Sequence, residues 1–376
     1  MGNDDDPGLA DRTIAVRARP APAAPALRIG HFLAYTLEGV LRRVGIGPEG
    51  LTIGRVPACD VAIPLPEISR RHCRIEVDGN WAVVSDLGST NGTFLGGRRV
   101  DRRMRLRNGS QISLGGFELR YEHRDEREVE HEARLTEELR RAVEYVRAIL
   151  PEPMTAGPVQ ADWWFVPSSA LGGDAFGYQF LDETTLVGFV LDVSGHGIGS
   201  AMHAANVANV LRRRGLPGVD FSDPSQVAAG LNAMFPMEAH NDLMLTLWYF
   251  AYHTASRRMR FCSAGHHASL LVAQGGAEPA ALWRRAPAIG MLPTANWASG
   301  EADIPQGARV YVFSDGAFEI ATATGAPWGI EDLRRIVAGP EQQGISEAQR
   351  VYQGVRAAAR PGPLDDDLSV LVLRFE

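Results

Sequence analysis

Four aspartates in the second half of the chain stand beside apolar stretches or glycine-rich bends. They are Asp174, Asp192, Asp315 and Asp366. Asp192 follows the apolar run 187–191, which predicts a buried strand, and it precedes a turn that contains three glycines. A site rich in aspartate, without clustered His or Cys, favours Mg²⁺ or Mn²⁺ over Zn²⁺. We therefore expect the four aspartates to converge on two metal ions.

The segment around Asp192 has a second interpretation. A strand, a glycine-rich turn and a helical pattern at 200–211 also describe a phosphate-binding loop. No Gly-Lys-Ser or Gly-Lys-Thr sequence accompanies these glycines, so the nucleotide-binding interpretation is weakly supported.

A different chemistry is concentrated between residues 54 and 94. Three sequence blocks carry it: Gly54-Arg55, Ser69-Arg70-Arg71-His72, and Leu87-Gly88-Ser89-Thr90-Asn91-Gly92-Thr93-Phe94. Guanidinium groups and short hydroxyl donors on loops bind a phosphate monoester well, and Arg55, Ser69 and Arg70 supply them. Taken singly, Asn91-Gly92 also fits an ordinary hairpin turn and Arg55 a solvated charge. Three independent blocks together favour phosphate binding.

The pattern of the chain changes at positions that suggest four parts. Residues 1–26 combine an acidic start with a Pro-Ala stretch and predict a disordered tail. Residues 27–122 alternate short apolar runs with turn residues and predict an all-β domain. Residues 123–150 lack Gly and Pro and predict a linker helix, whereas 151–376 mix strands with helices and predict layered antiparallel sheets.

The linker helix carries an apolar stripe with heptad spacing. Its members are Leu135, Leu139, Ala142, Val146 and Ile149. Two heptads are marginal for a free coiled coil, so we expect the stripe to pack on a domain or to pair within a homodimer. An amphipathic spacer with no partner is an equally weighted alternative, because periodicity does not identify the partner.

Composition narrows the functional class. The 376 residues carry a formal net charge of -7, which argues against a general nucleic-acid binder. Three separated cysteines without CxxC spacing indicate neither a disulfide framework nor a zinc site. The first residues lack the features of a signal peptide, and the most apolar stretch, 243–252, is too short to span a bilayer. We expect a cytoplasmic protein with no nucleic-acid or membrane partner.

The three blocks between residues 54 and 94 resemble those of forkhead-associated (FHA) phosphothreonine-binding domains. The resemblance implies an eleven-stranded β-sandwich. It also implies that Arg55, Ser69 and Arg70 contact the phosphate, while Thr90 and Asn91 hold the peptide backbone.

The aspartate blocks, together with Ser263-Ala264-Gly265-His266, resemble the SpoIIE-like branch of the metal-dependent PPM protein phosphatases. The resemblance runs from about residue 155 onward and implies two packed antiparallel sheets flanked by helices. It implies a binuclear Mn²⁺ or Mg²⁺ centre that activates water against phosphoserine or phosphothreonine. Asp192 would bridge both metals, and the Val193 carbonyl would add a ligand. Asp315 and Asp366 would complete the shell of one metal, and Asp174 would serve the second metal through water.

Several residues near these blocks depart from the family pattern or lie outside its metal ligands. Gly177 occupies a position where many family members carry another aspartate, which bears on an extra outer-shell contact and not on the core pair. His196, His266 and His267 are expected to be structural rather than catalytic. Asp365 and Asp367 are expected to be outer-shell or solvated residues.

The sequence thus predicts a multidomain protein, an all-β FHA sandwich followed by an α+β PPM phosphatase domain, that acts in signalling. By resemblance, the substrate is a phosphorylated anti-anti-sigma-type regulator or a target of a Ser/Thr kinase, and the FHA domain binds a phosphothreonine-containing partner. The alternative is an adaptor whose phosphatase domain is weak or inactive. The presence of all four aspartates favours an active enzyme.

Overall fold

The computed structural model describes residues 29–37, 39–195, 197–275 and 278–376. The predicted tail at 1–26 lies outside these ranges. The chain forms two compact units, one up to Thr136 and one from Glu137 to Glu376.

The first unit is a β-sandwich. Its described strands are β1 (Ile29–Leu37), β2 (Val40–Gly45), β3 (Leu51–Gly54), β4 (Val61–Ala62), β5 (Cys73–Asp78), β6 (Trp81–Asp86), β7 (Thr93–Leu95), β8 (Arg98–Arg99), β9 (Met104–Leu106), β10 (Gln111–Leu114) and β11 (Phe117–Asp125). One sheet has the order β2-β1-β11-β10-β7-β8 and the other β4-β3-β5-β6-β9. Buried side chains of both sheets, among them Leu33, Ile53, Val84 and Ile112, form one core. The eleven-stranded sandwich implied by the FHA resemblance is confirmed.

Helix α1 (Glu126–Ile149) contains the boundary between the two units. It begins at Glu126 rather than at residue 123, because 123–125 continue β11 and pair with β1. Glu132 accepts hydrogen bonds from Arg43 and Arg124, which ties the first turns of the helix to the sandwich. Along the predicted stripe, Leu135 is 50% exposed and only Ile149 is buried.

The second unit has eleven described strands and four described α-helices. The strands are β12 (Val159–Val166), β13 (Asp174–Phe180), β14 (Thr185–Val193), β15 (Leu245–His253), β16 (Arg258–Ala264), β17 (Ser269–Val272), β18 (Ala280–Leu282), β19 (Arg285–Ala286), β20 (Gly300–Asp303), β21 (Arg309–Phe313) and β22 (Leu368–Phe375). The helices are α2 (Ile198–Arg212), α3 (Pro224–Met234), α4 (Ile330–Ala338) and α5 (Glu347–Ala358).

Two sheets form the centre of this unit. One has the order β12-β22-β21-β17-β18; the other has the order β13-β14-β15-β16-β19, with β20 also paired to β16. A core that contains Val190, Trp248, Val310 and Leu371 lies between the sheets. Helices α2 and α3 cover the outer face of the second sheet, and α4 and α5 cover the outer face of the first. The layers are therefore helix, sheet, sheet, helix, as the PPM resemblance implies.

Strand alternation decides which residues of β14 can reach a site between the sheets. Val190 belongs to the core between the sheets, whereas Leu191 and Val193 belong to the core beneath α2 and α3. Because side chains alternate along a strand, Asp192 points in the same direction as Val190, toward the other sheet. Within the described ranges, no helix is both long and apolar enough to cross a lipid bilayer.

Candidate metal centre and phosphopeptide site

Asp174 and Asp192 are direct neighbours across two strands. They pair in the antiparallel register of β13 and β14, which places their Cβ atoms about 5 Å apart. Asp174 is buried and accepts a hydrogen bond of 2.7 Å from the Ser369 hydroxyl, which lies on the facing sheet. Asp192 is only partly buried. The two carboxylates thus lie at one end of the second unit, between its two sheets.

Asp315 and Asp366 come from the facing sheet. Asp315 directly follows Ser314 at the end of β21, and Asp366 lies two residues before β22. The Ser314 hydroxyl donates to the Asp367 carbonyl oxygen at 3.0 Å, and it accepts from the Ser369 amide at 2.9 Å. These bonds hold the ends of β21 and β22 together and place Asp315 beside Asp366.

The four predicted aspartates are close enough to perturb one another. Burial, and then the charges of Asp315 and Asp366, raise the pKa of Asp192 to about 7. Burial and then Asp366 raise the pKa of Asp315 to about 6. The pKa of Asp174 is also raised, first by burial and then by Asp192. Carboxylates from both sheets therefore form one acidic centre, although they lie far apart in sequence.

Asp367 connects the two sheets directly. It is 4% exposed, and its carboxylate accepts hydrogen bonds from the Ser168 amide at 2.7 Å, the Ser168 hydroxyl at 2.9 Å and the Gly173 amide at 2.6 Å. This buried carboxylate fixes the bend that precedes Asp174. Of the two roles expected for Asp367, outer-shell or solvated, its burial rules out the solvated one only. Asp365 is exposed and pairs with Arg360.

Two glycines allow the backbone segments of the centre to approach closely. A Cβ at Gly173 would lie 2.8 Å from the Val193 carbonyl oxygen, and a Cβ at Gly316 would meet the carbonyl oxygen of Asp367. Because real Cβ atoms do not come so close, each position requires glycine. The Val193 carbonyl therefore lies beside the Asp174 bend, where the resemblance to PPM phosphatases puts a ligand.

A cavity of about 170 Å³ opens beside the acidic centre. Its lining includes Asp192, Asp315, Glu319, His266 and His267. Nδ1 of His266 contacts the His267 carbonyl and Nδ1 of His267 contacts the Ala268 carbonyl, each at 3.2 Å, so each Nδ1 carries the proton. Burial lowers the pKa of His266 to about 4. Burial also lowers the pKa of His267 well below its ordinary value. Both imidazoles are therefore neutral near pH 7, which disfavours them as proton donors. His196 lies outside the described residues.

The acidic centre offers oxygen donors that suit a metal ion. Its donors are carboxylate and carbonyl oxygens, which Mg²⁺ and Mn²⁺ prefer. The pKa values of Asp192 and Asp315 are raised first by burial and then by neighbouring carboxylates, whose repulsion a cation would relieve. In the part of the chain that the structure describes, no three His, Cys, Asp or Glu side chains already surround one point as direct ligands. The donor chemistry fits a hard cation.

Gly177 does not belong to the acidic centre. It pairs with Phe189 on β14, and a Cβ there would lie 2.9 Å from the Phe189 ring. Since Gly177 is three residues after Asp174 on one strand, the two positions face opposite sides of the sheet. An aspartate at 177 would meet the Phe189 ring rather than the other carboxylates.

The first unit brings the five predicted phosphopeptide-binding residues onto adjacent loops. The Arg55 amide donates to the Ser69 carbonyl at 3.0 Å, and the Thr90 amide donates to the Ser69 hydroxyl at 3.0 Å. Asn91 donates from Nδ2 to the Glu67 carbonyl at 2.7 Å, which leaves Oδ1 as an acceptor for a peptide amide. Arg55 and Arg70 are exposed, and no ion pair of the described residues includes either.

His72 holds two of these loops in register. It is fully buried, its Nδ1 accepts from the Ser69 amide at 3.1 Å, and its Nε2 donates to the Gly92 carbonyl at 3.2 Å. A Cβ at Gly54 would meet the Arg70 carbonyl, so the loop that carries Arg55 packs directly on the loop that carries Arg70. The arrangement presents two guanidinium groups and two hydroxyls at one surface.

Comparisons with known proteins agree with this architecture. The family model described as Stage II sporulation protein E (SpoIIE) matches residues 182–376, slightly more than half of the chain, and the FHA domain model matches 51–115. Phosphoserine phosphatase RsbP of Bacillus subtilis is 27% identical over 185 residues, which are 48% of this chain and 46% of RsbP. The match therefore spans about half of that relative.

Two further comparisons concern the separate units. The FHA domain-containing protein FhaB of Mycolicibacterium smegmatis is 30% identical over 106 residues, 28% of this chain and 68% of FhaB. The SiaA-PP2C domain of Pseudomonas aeruginosa superimposes with a TM-score of 0.56 at 18% identity, covering 65% of this chain and 99% of that domain, which shows a common fold. The chain belongs to the SpoIIE family and carries an FHA domain before its phosphatase-like region.

Proposed function

We propose that this protein hydrolyses phosphoserine or phosphothreonine on a protein substrate and that its FHA domain recruits or senses a phosphothreonine-containing partner. The observation that carries the proposal is the acidic centre itself. Four aspartates from two facing sheets meet at one end of the second unit, and the pKa values of Asp174, Asp192 and Asp315 are raised first by burial and then by neighbouring carboxylates. A protein does not gain stability from such a cluster, so a bound cation explains it best.

Two Mn²⁺ or Mg²⁺ ions are the proposed cofactors. Asp192 would contact both ions, and the Val193 carbonyl would add a ligand. Asp315 and Asp366 would hold one ion, and Asp174 would serve the other. Ions bound there would activate water at neutral pH and offset charge on the transferring phosphoryl group.

The surrounding residues position these ligands. Asp367 holds the Gly173 amide, and Ser369 holds the Asp174 carboxylate, so the two sheets cannot separate at the centre without breaking both contacts. Gly173 lets the Val193 carbonyl approach the Asp174 bend. The cavity beside the centre gives a phosphorylated side chain access to Asp192 and Asp315.

The FHA loops support a separate binding function. Arg55, Ser69 and Arg70 would contact a phosphothreonine phosphate, whereas Thr90 and Asn91 would hold the peptide backbone. The exposed guanidinium groups without acidic partners among the described residues are available for such a ligand.

The nature of the substrate follows from the relatives and stays a prediction. RsbP is named a phosphoserine phosphatase. We therefore favour phosphoserine on an anti-anti-sigma-type regulator, with a Ser/Thr kinase target as the alternative. A cytoplasmic location and a homodimer formed through α1 are part of the same proposal.

Phosphate release tests the proposal. The full chain is incubated with phosphoserine and phosphothreonine peptides in Mn²⁺, in Mg²⁺ and in EDTA. We expect release only with a divalent cation. The competing function is an adaptor with a weak or inactive phosphatase domain. Peptide binding without phosphate release in either metal would establish the adaptor.

A further inference from the structure

An aromatic residue and two arginines form an exposed segment near the acidic centre. Trp283 is 50% exposed, and Arg284 and Arg285 are exposed beside it. The Trp283 indole donates to the His266 carbonyl at 3.0 Å. His266 lines the cavity that also contains Asp192 and Asp315. This segment, Trp283-Arg284-Arg285, is called the Trp-Arg-Arg rim below.

The sheet register places the rim beside the cavity. Arg285 pairs with Ser263 in the parallel contact of β19 with β16, and the Gly265 amide donates to the Ala286 carbonyl at 3.0 Å. Ser263 pairs with Trp248, whose ring belongs to the core between the sheets. Arg285 therefore lies on the face of the sheet that also carries Asp174 and Asp192.

The same register gives the distance from the rim to the acidic centre. Asp192 pairs with Thr246 on β15, so three strand spacings separate β14 from β19. With strands about 4.8 Å apart and a shift of two residues along them, the Asp192 and Arg285 Cα atoms lie roughly 15 Å apart. Since extended peptide advances about 3.4 Å per residue, the rim would meet side chains roughly three to five residues from a phosphoserine at the centre.

The charges at the rim are uncompensated. No ion pair within the described ranges includes Arg284 or Arg285. By contrast, Arg258 and Arg260, on the neighbouring strand, both pair with Glu301. Two free guanidinium groups next to an exposed indole suit an acidic peptide segment, because arginine binds carboxylates in a bidentate manner.

We infer that the Trp-Arg-Arg rim is a substrate-docking surface that selects phosphoproteins with acidic residues three to five positions from the phosphorylated residue. This inference rests on the proposed phosphatase function and names its substrate class. The acidic side chains pair with Arg284 and Arg285, and the peptide backbone packs on Trp283.

The experiment compares two phosphoserine peptides on the full chain. One carries Asp and Glu three to five positions from the phosphoserine, and the other carries Asn and Gln there. Phosphoserine is used so that phosphothreonine binding by the FHA domain does not contribute. Each kcat/KM is divided by the rate of the same variant on p-nitrophenyl phosphate. We expect the acidic peptide to be preferred about three- to tenfold, through KM, as two exposed ion pairs allow.

Three variants locate the effect. The double variant Arg284→Ala/Arg285→Ala is expected to abolish the preference, and Arg284→Lys/Arg285→Lys to retain part of it. The control is Arg213→Ala, an exposed arginine at the C-terminus of α2 that has no ion pair among the described residues. It is expected to keep the full preference.

The outcomes separate the inference from the function on which it rests. Equal kcat/KM for the two peptides, or a preference that survives Arg284→Ala/Arg285→Ala, overturns the inference and leaves the phosphatase intact. If neither peptide nor p-nitrophenyl phosphate is hydrolysed, the proposed function fails. The rim is then tested by fluorescence anisotropy, which compares the binding of both labelled peptides to the wild type and to the same variants. A different result is cosedimentation of the full chain with phosphatidylserine vesicles that depends on Arg284 and Arg285, without a peptide preference. That result would assign the rim to membrane binding and overturn the inference.

Discussion

Asp192 is the carboxylate on which the proposed centre depends most. It neighbours Asp174 across the strands and interacts with Asp315 and Asp366 of the facing sheet. Since it would contact both cations, Asp192→Asn is expected to abolish Mn²⁺-dependent phosphate release while circular dichroism stays unchanged. Turnover within about threefold of the wild type would remove Asp192 from this role.

The acidic centre also makes stability depend on pH. Folding raises the pKa of Asp192 to about 7 and that of Asp315 to about 6, from an ordinary value of 3.8. Between about pH 4 and 7 the folded chain thus retains protons that the unfolded chain releases, and this contribution to stability declines as pH rises. In EDTA, the melting temperature of the wild type should fall more between pH 4.5 and 7.5 than that of Asp192→Asn.

Mn²⁺ provides the control for this prediction, because a cation replaces the protons. It should raise the melting temperature more at pH 7.5 than at pH 4.5. Parallel pH profiles for the wild type and Asp192→Asn in EDTA would contradict the assignment of the shift to Asp192.

Arg55 allows the FHA site to be tested separately. Its amide bonds to Ser69, but its side chain is exposed and has no ion pair among the described residues. Arg55→Ala is therefore expected to remove measurable affinity for phosphothreonine peptides in calorimetry. Arg98→Ala, which removes an exposed arginine of β8, should bind normally. Equal affinity of the wild type for phosphorylated and unphosphorylated peptide would refute the proposed site.

Single residues differ in how far the sequence reveals their role. The four aspartates could be found because each adjoins an apolar strand or a glycine bend. Asp367 could not be distinguished from Asp365 in a run of three aspartates, because its burial depends on the Ser168 and Gly173 amides about 195 residues away. The Trp-Arg-Arg rim carries no local signal either, since its position follows from the pairing of β19 with β16.

At the level of elements, α1 offers the clearest test. Leu139 is half-buried, and Leu135 of the same stripe is 50% exposed. If this stripe pairs two chains, Leu139→Asp places a charge in an apolar contact and should weaken dimerisation and change basal phosphatase activity. Glu138→Lys, on the exposed side, should change neither. Sedimentation that shows a monomer at all concentrations would leave α1 as a tether only.

Local sequence signals mark some elements well. The strands Arg309–Phe313 and Leu368–Phe375 are long apolar runs and are buried nearly throughout. Helix α3 starts at Pro224, directly after Asp223, whose side chain accepts a hydrogen bond from the Ser225 amide. Helices α4 and α5 are not among the predicted elements. Buried residues lie four apart within each helix, Leu333 and Val337 in α4 and Val351 and Val355 in α5. This helical spacing is the signal that could have identified both helices.

In the whole molecule, each of the two units should respond to a different ligand. Each unit has its own buried core. In calorimetry of the full chain, Mn²⁺ should raise the melting temperature of the second unit. A phosphothreonine peptide should raise the melting temperature of the first unit, because each ligand stabilises the unit that binds it. Arg55→Ala should cancel only the peptide effect. A single transition shifted equally by both ligands would contradict independent sites.

The position of β22 has a consequence for biosynthesis. This strand lies between β12 and β21 and pairs with β12 along all eight residues, although about 200 residues separate them in the chain. While a ribosome makes the intervening segment, β12 lacks the neighbour that will cover its backbone. The FHA sandwich can close early, whereas the phosphatase-like unit must wait for residue 375. Nascent chains therefore pass through a state with an unpaired strand edge, in which chaperones and aggregation compete for the unfinished sheet.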